Sequence, residues 1–453
     1  MLDTYLPRAL ETRLDHWRTQ VRPKPLVLRG PRQVGKSTLV RAHGRNYNHY
    51  LELNLERERD RNLFDQLPEV GAFLQGLYFR QGIRPAAGES VLLFIDEIQQ
   101  APRAIQFLRY LYEDQDAVHV IAAGSLLEFA FGDVKSMPVG RVEFVPVFPL
   151  TFREYLVWRG REVLAEALRE VPAPTPAHPY LAEAFRDYSL TGGMPAVVRA
   201  LAGGAELAEV QPLYESIWDA YAVDLERHAR TDLQRDVMRF VIREAPTVHD
   251  RFNYANFAGS TFRSREVRAA LEALEMARVL QLVRPTSSVA LPVQVNLRAR
   301  PRLQFLDVGL LNYATGLQRS TLAIDDLASV YRGRLALQVV TQELIAFEQR
   351  YSYEPHFWIR ENRNTNAEVD LVHQYGMDLL GLEVKSGAQG RLRSLHEFVE
   401  RSGSGIGLRV LANAFSVEEA STASGYGYKL VNLPYYAVGQ LDAYIQVAVE
   451  RRD

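Results

Sequence analysis

The chain has 453 residues, 47% of them hydrophobic, which is enough for roughly two to four domains with buried cores. Its 53 basic and 55 acidic side chains nearly cancel, so net charge predicts no polyanionic partner, and any nucleic-acid site must come from local clustering. Cysteine is absent, which excludes disulfides and thiolate metal sites and agrees with a reducing compartment, so we expect a cytoplasmic protein.

The segment from Met1 to Pro25 carries charges throughout, so it lacks the apolar core of a signal peptide. The most apolar later stretch, from Val118 to Phe131, contains His119 and Glu128 and is too short to span a bilayer. We therefore expect no membrane segment.

A Walker A pattern follows. The apolar run Leu26 to Arg29 predicts a strand, and a glycine-rich loop and a helical pattern come after it. In this order of elements, backbone N–H groups and a helix N-terminus face the phosphates of a nucleotide. We expect Lys36, one of only five lysines in the chain, to reach the outer phosphates of ATP, and Ser37 to bind Mg²⁺. The residues expected to contact the nucleotide are Gly30, Pro31, Arg32, Gln33, Val34, Gly35, Lys36, Ser37 and Thr38.

A second acidic motif ends the next buried strand. The run Val91 to Ile95 is apolar throughout, as in a strand buried on both faces, and Asp96 and Glu97 follow it at the edge where ligands of open α/β sheets bind. We expect Asp96 to hold Mg²⁺ through water and Glu97 to orient or deprotonate the attacking water. Ser125 follows a further apolar run and would face the γ-phosphate. A helix N-cap with a solvated neighbour is the alternative for the acidic pair, and a structural role is the alternative for Ser125.

Together these residues resemble the AAA+ ATPases, and segments 30–36 and 96–99 are similar to one large prokaryotic family within them. The resemblance extends through 192–195 and 305–310 to the region of Lys385, so it covers most of the chain. It implies an ATPase with Mg²⁺ and a homo-oligomer, in which an arginine of the adjacent subunit stabilises the transferred phosphoryl group. Arg141 is the candidate, with a surface ion pair as the alternative. GTPases are disfavoured because no lysine follows an asparagine.

Helical patterns beyond Leu150 predict a helical lid over 156–246, after an ATPase core over 1–155. Residues 247–302 predict a winged helix, with a short helix at 253–257, a second helix from Ser264 and a strand at 279–283. Seven of its arginines are predicted to cluster, and the last three alternate along a predicted strand: Arg263, Arg265, Arg268, Arg284, Arg298, Arg300 and Arg302. We expect them to contact DNA phosphates, and ion pairs with neighbouring glutamates are the alternative.

After a linker at 303–330, residues 331–453 predict a further α/β domain. Segments 367–372 and 380–385 alternate as strands, and Gly376 and Met377 predict a two-residue turn between them. Antiparallel pairing about this turn places Asp370 opposite Glu383 and Glu368 opposite Lys385, all on one face.

This arrangement resembles the PD-(D/E)XK nucleases. Two adjacent carboxylates repel unless a cation or proton lies between them, and oxygen ligands favour Mg²⁺ or Mn²⁺. The resemblance implies that Asp370 and Glu383 bind the metal, that Lys385 holds water or transition-state charge, and that Glu343 is the acidic residue of the preceding helix. In the alternative interpretation Glu368 pairs with Lys385 and Asp370 is protonated, so the same charges satisfy each other without metal.

The fold class expected is therefore α/β, with a P-loop AAA+ core, helical lid, winged helix and a C-terminal restriction-endonuclease-like domain. The function expected is Mg²⁺-dependent ATP hydrolysis coupled to DNA binding, with DNA cleavage left open. The alternative is a nucleotide-controlled signalling or assembly switch whose inert nuclease-like domain recruits protein partners.

Overall fold

The computed structural model describes residues 5–67, 69–114, 117–125, 127, 140–318, 329–350, 353–361, 366–386 and 392–450. The chain divides into an N-terminal unit, Met1–Pro149 with Met276–Arg278, and a C-terminal unit, Leu150–Glu275 with Val279–Asp453. Within the described ranges, no helix combines the length and the apolar character needed to cross a membrane.

The N-terminal unit contains a parallel sheet with strand order β2-β3-β4-β1-β5. Its strands are β1 (Leu26–Arg29), β2 (His49–Asn54), β3 (Val91–Asp96), β4 (Val118–Gly124) and β5 (Glu143–Pro146). Every residue of β1 and β3 is buried, as expected for apolar strands covered on both faces. Because the strands are parallel, the C-terminal ends of β1, β3 and β4 lie at one edge of the sheet.

Helices cover both faces of this sheet. They are α1 (Leu10–Arg18), α2 (Lys36–Gly44), α3 (Glu58–Arg61), α4 (Leu63–Gln66), α5 (Val70–Gln81) and α6 (Pro102–Asp114), with a 3₁₀ turn at Ile98–Gln100. Trp17 and Leu39 belong to the core on one face, and the rings of Phe64, Phe73 and Phe107 pack together in the core on the other.

The C-terminal unit begins with helices, as the sequence predicts. The helices that follow α6 are α7 (Phe152–Trp158), α8 (Glu162–Ala167), α9 (His178–Thr191), α10 (Pro195–Ala202), α11 (Gln211–Arg227), α12 (Asp232–Glu244), α13 (Ser264–Met276), α14 (Val308–Ala314), α15 (Ser329–Glu348), α16 (Arg393–Ser402) and α17 (Leu441–Glu450). Short 3₁₀ turns lie at Thr175–Ala177, Ala245–Thr247, Phe257–Gly259 and Tyr435–Gln440.

A mixed eight-stranded sheet has the order β12-β13-β11-β10-β9-β8-β6-β7. Its strands are β6 (Leu280–Thr286), β7 (Arg302–Phe305), β8 (His356–Glu361), β9 (Asn366–Tyr375), β10 (Asp378–Val384), β11 (Ile406–Leu411), β12 (Ser416–Ser421) and β13 (Gly427–Pro434). Antiparallel pairing of β9 with β10 matches Tyr375 with Asp378 and Leu371 with Leu382, which confirms the predicted register. Gly376 has the positive φ, 59°, that the tight turn requires.

Two local predictions in the winged-helix region are wrong. The strand expected to carry Arg298, Arg300 and Arg302 begins only at Arg302, because Asn296 Oδ1 accepts backbone N–H bonds at 298 and 299 and turns the chain there. The helix expected at 253–257 is replaced by the 3₁₀ turn at Phe257–Gly259, where residues 256 and 258 take left-handed dihedrals. Strand β6 pairs in parallel with β8, so it belongs to the eight-stranded sheet.

The segments 192–195 and 305–310 meet at Asp307. Its Oδ2 accepts a 2.6 Å bond from the Gly193 N–H, and its Oδ1 caps α14 by accepting from the Leu310 N–H at 3.0 Å. A Cβ on Gly192 would lie 2.2 Å from Asp307 Oδ1, so only glycine fits there. Burial raises the pKa of Asp307 to about 6. These motifs therefore form a buried structural joint.

Candidate functional site

The glycine-rich loop between β1 and α2 curls through two left-handed residues, Gln33 with φ 65° and Gly35 with φ 92°. The Val34 side chain is fully buried in the core and anchors the loop between them. No side chain caps α2, so the N–H groups of its first turn, which includes Ser37 and Thr38, face the loop. A helix start of this kind is suited to bind a phosphate group.

Lys36 lies inside this loop. Its Nζ donates to the carbonyl oxygens of Gly30 at 2.8 Å and Pro31 at 2.7 Å, and the residue is 7% exposed. Gly30 is tightly packed, since a Cβ there would lie 2.3 Å from the carbonyl oxygen of Val147. The structure therefore places the ammonium among the backbone groups that are expected to surround the phosphates.

Ser37 and Asp96 come together as the sequence predicts. Ser37 Oγ donates to Asp96 Oδ2 at 2.7 Å, and the other carboxylate oxygen, Oδ1, accepts from the Glu97 N–H at 3.0 Å. Burial raises the pKa of Asp96. A hydroxyl and a carboxylate in contact are the oxygen donors that Mg²⁺ uses together with substrate phosphates, so these residues fit the metal.

Glu97 has φ 52°, a left-handed conformation that non-glycine residues adopt mostly where the surroundings impose it. Its Oε2 accepts from Gln99 Nε2 at 2.5 Å and from the buried hydroxyl of Ser125 at 3.4 Å. A Cβ on Gly124 would lie 2.4 Å from Gln99 Oε1, so Gln99 packs closely against the end of β4. The Glu97 carboxylate is thus held by two neighbours.

Sequence reasoning missed two residues of this site. Gln99 falls within segment 96–99 of the resemblance, but its contact with Glu97 depends on the left-handed turn at Glu97. Arg8 is buried, and its guanidinium donates to the carbonyl oxygens of Val34 and Phe148, both at 2.9 Å. No pattern could connect Arg8 with a loop 26 positions later in the chain.

Two predicted arginines lie at the surface of the N-terminal unit. Arg141 Nε contacts Glu113 Oε1 at 2.9 Å with its side chain 45% exposed, which is the surface ion pair considered as its alternative. Its role at a neighbouring subunit stays a prediction, and segment 138–139 before it lies outside the described residues. Arg32 approaches Glu56 at 4.0 Å.

In the C-terminal unit, Asp370, Glu383 and Lys385 lie together. Lys385 Nζ contacts Glu383 Oε1 at 2.5 Å, and Asp370 Oδ2 accepts from the Val384 N–H at 2.9 Å. Glu383 Oε2 is buried and has no hydrogen-bond partner within the described ranges. Burial, and then the charge of Asp370, raise the pKa of Glu383 to about 7.

Glu343 lies elsewhere, which corrects the prediction that it joins Asp370 and Glu383. Its carboxylate accepts from the Phe152 N–H at 3.1 and 3.2 Å and from the Tyr188 hydroxyl at 2.7 Å. Burial raises the pKa of Glu343 to about 7. The described residues contain no group of three or more His, Asp or Glu side chains that could hold a metal. The side of α15 that carries Glu343 faces α7 and α9, so its carboxylate caps the start of α7.

Glu368 does not form the ion pair with Lys385 that the metal-free alternative expects. It forms ion pairs with Arg302 and, at 3.1 Å, with Arg251 Nε rather than with Lys385. Arg302 Nη2 lies 3.7 Å from Asp370 Oδ1 as well.

Comparisons with known proteins are informative for the N-terminal unit. Residues 22–156 match the family model of an AAA domain, while 182–321 and 332–436 match two domains of unknown function, DUF8612 and DUF4143. No curated protein matches the chain. A solved Walker-type ATPase of Pyrococcus abyssi is 18% identical, with 69% of this chain and 96% of that chain covered and a TM-score of 0.43. A RuvB variant of Thermotoga maritima is 15% identical, with coverage of 66% and 94% and a TM-score of 0.27. The family match, on a site built by Lys36, Ser37 and Asp96, identifies an AAA-type P-loop ATPase domain in this chain.

Proposed function

We propose that this protein binds ATP with Mg²⁺ and hydrolyses it at the site formed by Lys36, Ser37, Asp96 and Glu97. The observation that carries the proposal is the 2.7 Å contact between Ser37 and Asp96, which joins the first turn of α2 to the end of β3. This contact brings the glycine-rich loop, the two metal donors and the Glu97 carboxylate to one edge of the parallel sheet.

Each residue has a distinct role. The first-turn N–H groups of α2 and the Lys36 ammonium bind the phosphates and balance their charge. Ser37 and Asp96 would hold Mg²⁺, which supplies charge neutralisation on the phosphate oxygens when bound. Glu97 orients the attacking water and accepts its proton. Because Gln99 and Ser125 both donate to Oε2, the carboxylate keeps one orientation and Oε1 can face the water.

Two variants separate binding from hydrolysis. Lys36→Ala is expected to lose ATP binding, measured with a fluorescent nucleotide. Glu97→Gln is expected to bind ATP but to release phosphate about 10²- to 10⁴-fold more slowly, the usual contribution of a general base. Lys24→Ala, at an exposed lysine of the same unit, is the matched control. Unchanged ATP turnover in Lys36→Ala would remove the proposal.

A second candidate function is DNA binding by the C-terminal unit. Of the seven arginines of the predicted cluster, Arg284 pairs with Glu275 and Arg302 with Glu368, so neither is open to phosphates. The other five are exposed, and none forms an ion pair in the described part of the chain: Arg263, Arg265, Arg268, Arg298 and Arg300. Exposed guanidinium groups without carboxylate partners favour sequence-independent contact with phosphates.

Fluorescence anisotropy with duplex DNA at several salt concentrations tests this candidate. Arg263→Glu with Arg265→Glu should weaken binding and reduce the salt dependence by about one phosphate contact for each arginine removed. Arg186→Glu with Arg230→Glu makes the same charge change at exposed arginines elsewhere in the unit and is the control. Absence of salt-sensitive DNA binding in the parent protein would favour the nucleotide-controlled assembly switch instead.

A further inference from the structure

The acidic cluster, which we define as Glu368, Asp370 and Glu383, lies on the hairpin of β9 and β10. We propose that the guanidinium of Arg302 takes the place of a divalent metal ion in this cluster, so that the protein as folded binds neither Mg²⁺ nor Mn²⁺ there. The proposal does not depend on ATP hydrolysis, because the cluster shares no residue with the P-loop site.

Arg302, the first residue of β7, is held against the cluster from several sides. Its Nη2 pairs with the Glu368 carboxylate and lies 3.7 Å from Asp370 Oδ1, and its Nη1 donates to the Asp370 carbonyl oxygen at 3.3 Å. The guanidinium carbon lies 4.5 Å from the centre of the Phe357 ring. The side chain is only 17% exposed, so the guanidinium fills the space beside the carboxylates.

The remaining charges of the cluster are also matched. Arg251 Nε contacts the second oxygen of Glu368 at 3.1 Å, and Lys385 contacts Glu383 at 2.5 Å. Three basic side chains thus face three carboxylates. A divalent ion would add two positive charges where the negative charge is already compensated, and it would meet like charge at Arg302.

The oxygen atoms that remain do not fit a metal. Asp370 Oδ2 accepts from the Val384 N–H, and Oδ1 faces the guanidinium. Within the described ranges, Glu383 Oε2 is the one oxygen of this pair that is buried and has no partner, and the third carboxylate, Glu368, is engaged by Arg302 and Arg251. No group of three or more side chains that could hold a metal is found among the described residues. Mg²⁺ keeps several waters and is held in addition by one or two carboxylates, but here both Asp370 oxygens are engaged and Glu383 is already paired with Lys385.

Mn²⁺ binding to the full-length protein, followed by electron paramagnetic resonance without nucleotide, tests the proposal. The P-loop residues are unchanged in every variant, so any signal from that site is common to all of them. The parent protein and Asp370→Asn should bind Mn²⁺ equally. Mn²⁺ bound by the parent and lost in Asp370→Asn would overturn the proposal.

Removal of the guanidinium should create the missing site. Arg302→Ala is expected to gain one bound Mn²⁺ per chain and to be stabilised by Mn²⁺ in thermal unfolding, and Arg302→Ala with Asp370→Asn should show neither gain. Arg302→Lys keeps a positive charge and should gain nothing. If Arg302→Ala does not fold, Arg302→Met keeps an aliphatic stem against Phe357 and should show the same gain. If Arg302→Ala or Arg302→Met folds but binds no more Mn²⁺ than the parent protein, the proposed exchange of guanidinium for metal is refuted.

Discussion

Gln99→Ala is the change that most directly tests how the ATPase site works. Gln99 donates a 2.5 Å hydrogen bond to the Glu97 carboxylate, and the only other donor to that oxygen within the described chain is Ser125 at 3.4 Å. The backbone at Glu97 is already in an uncommon left-handed conformation, so a carboxylate that loses Gln99 has little else to keep its orientation.

The size of the effect follows from the kind of bond. A hydrogen bond to a charged group contributes about 1.5 to 3 kcal/mol, and each 1.36 kcal/mol in a barrier changes a rate tenfold. We therefore expect kcat to fall about 10- to 100-fold in Gln99→Ala. ATP affinity should change little, because Gln99 contacts neither the glycine-rich loop nor the Ser37–Asp96 pair.

Steady-state phosphate release, with ATP affinity measured separately, checks this expectation. Gln100→Ala, at the exposed neighbouring position, is the matched control and should behave like the parent. Combining Gln99→Ala with Glu97→Gln should cost no more than Glu97→Gln alone if Gln99 acts through Glu97. Fully additive losses, or an unchanged kcat in Gln99→Ala, would refute the positioning role.

Three further predictions concern other residues. Arg8→Ala should weaken ATP binding about tenfold by releasing the Val34 carbonyl, as titration with a fluorescent nucleotide would show; unchanged affinity would count against it. Arg141→Ala should lower kcat about 10³- to 10⁵-fold without altering nucleotide binding, if Arg141 leaves Glu113 to reach a neighbouring subunit; a normal rate with normal assembly by mass photometry would end that assignment. Glu343 has a pKa of about 7, above its ordinary value of 4.5, so the folded state keeps the proton. The proton on Glu343 therefore stabilises the folded state. This contribution is fully present below pH 4.5 and is lost as pH rises through about 7, a change of about 3 kcal/mol in the free energy of unfolding. In urea unfolding, the free energy of unfolding of Glu343→Gln should vary less with pH than that of the parent, by that amount. Identical pH profiles for the two proteins would show that Glu343 is not the source of the pH dependence.

Features encoded by neighbouring residues were predictable from the sequence. The strand, loop and helix around Lys36 follow from an apolar run and glycine spacing within a few positions. The register of β9 with β10 follows from a two-residue turn at Gly376 and Met377, since such a turn leaves only one alignment of the strands beside it. Asp96 could be placed because a buried parallel strand delivers its last residue to the ligand-binding edge.

Features that depend on contacts between distant parts of the chain were not predictable. Arg302 reaches the Asp370 carbonyl across 68 positions, and an alternating arginine pattern carries no information about which carboxylate lies beside it. Glu343 lies in a stretch of α15 where most neighbouring residues are buried. The hydrophobic periodicity of the sequence therefore could not tell which side of the helix faces Tyr188 and which faces the sheet. Pairing of β6 with β8 likewise joins strands that no turn connects.

The two motif lysines show why a motif alone does not establish a phosphate site. Lys36 donates to carbonyl oxygens of its own loop, which are dipoles without net charge, whereas Lys385 contacts a carboxylate. A carboxylate cancels most of the field of an ammonium at a distance, while two carbonyl groups orient the ammonium and leave its charge. At Lys385 an incoming phosphate would have to compete with the charge of Glu383, whereas the two carbonyl oxygens that Lys36 contacts have no net charge. For the same residue type, the neighbouring groups influence whether an anion can bind, and the carboxylate beside Lys385 disfavours an anion there.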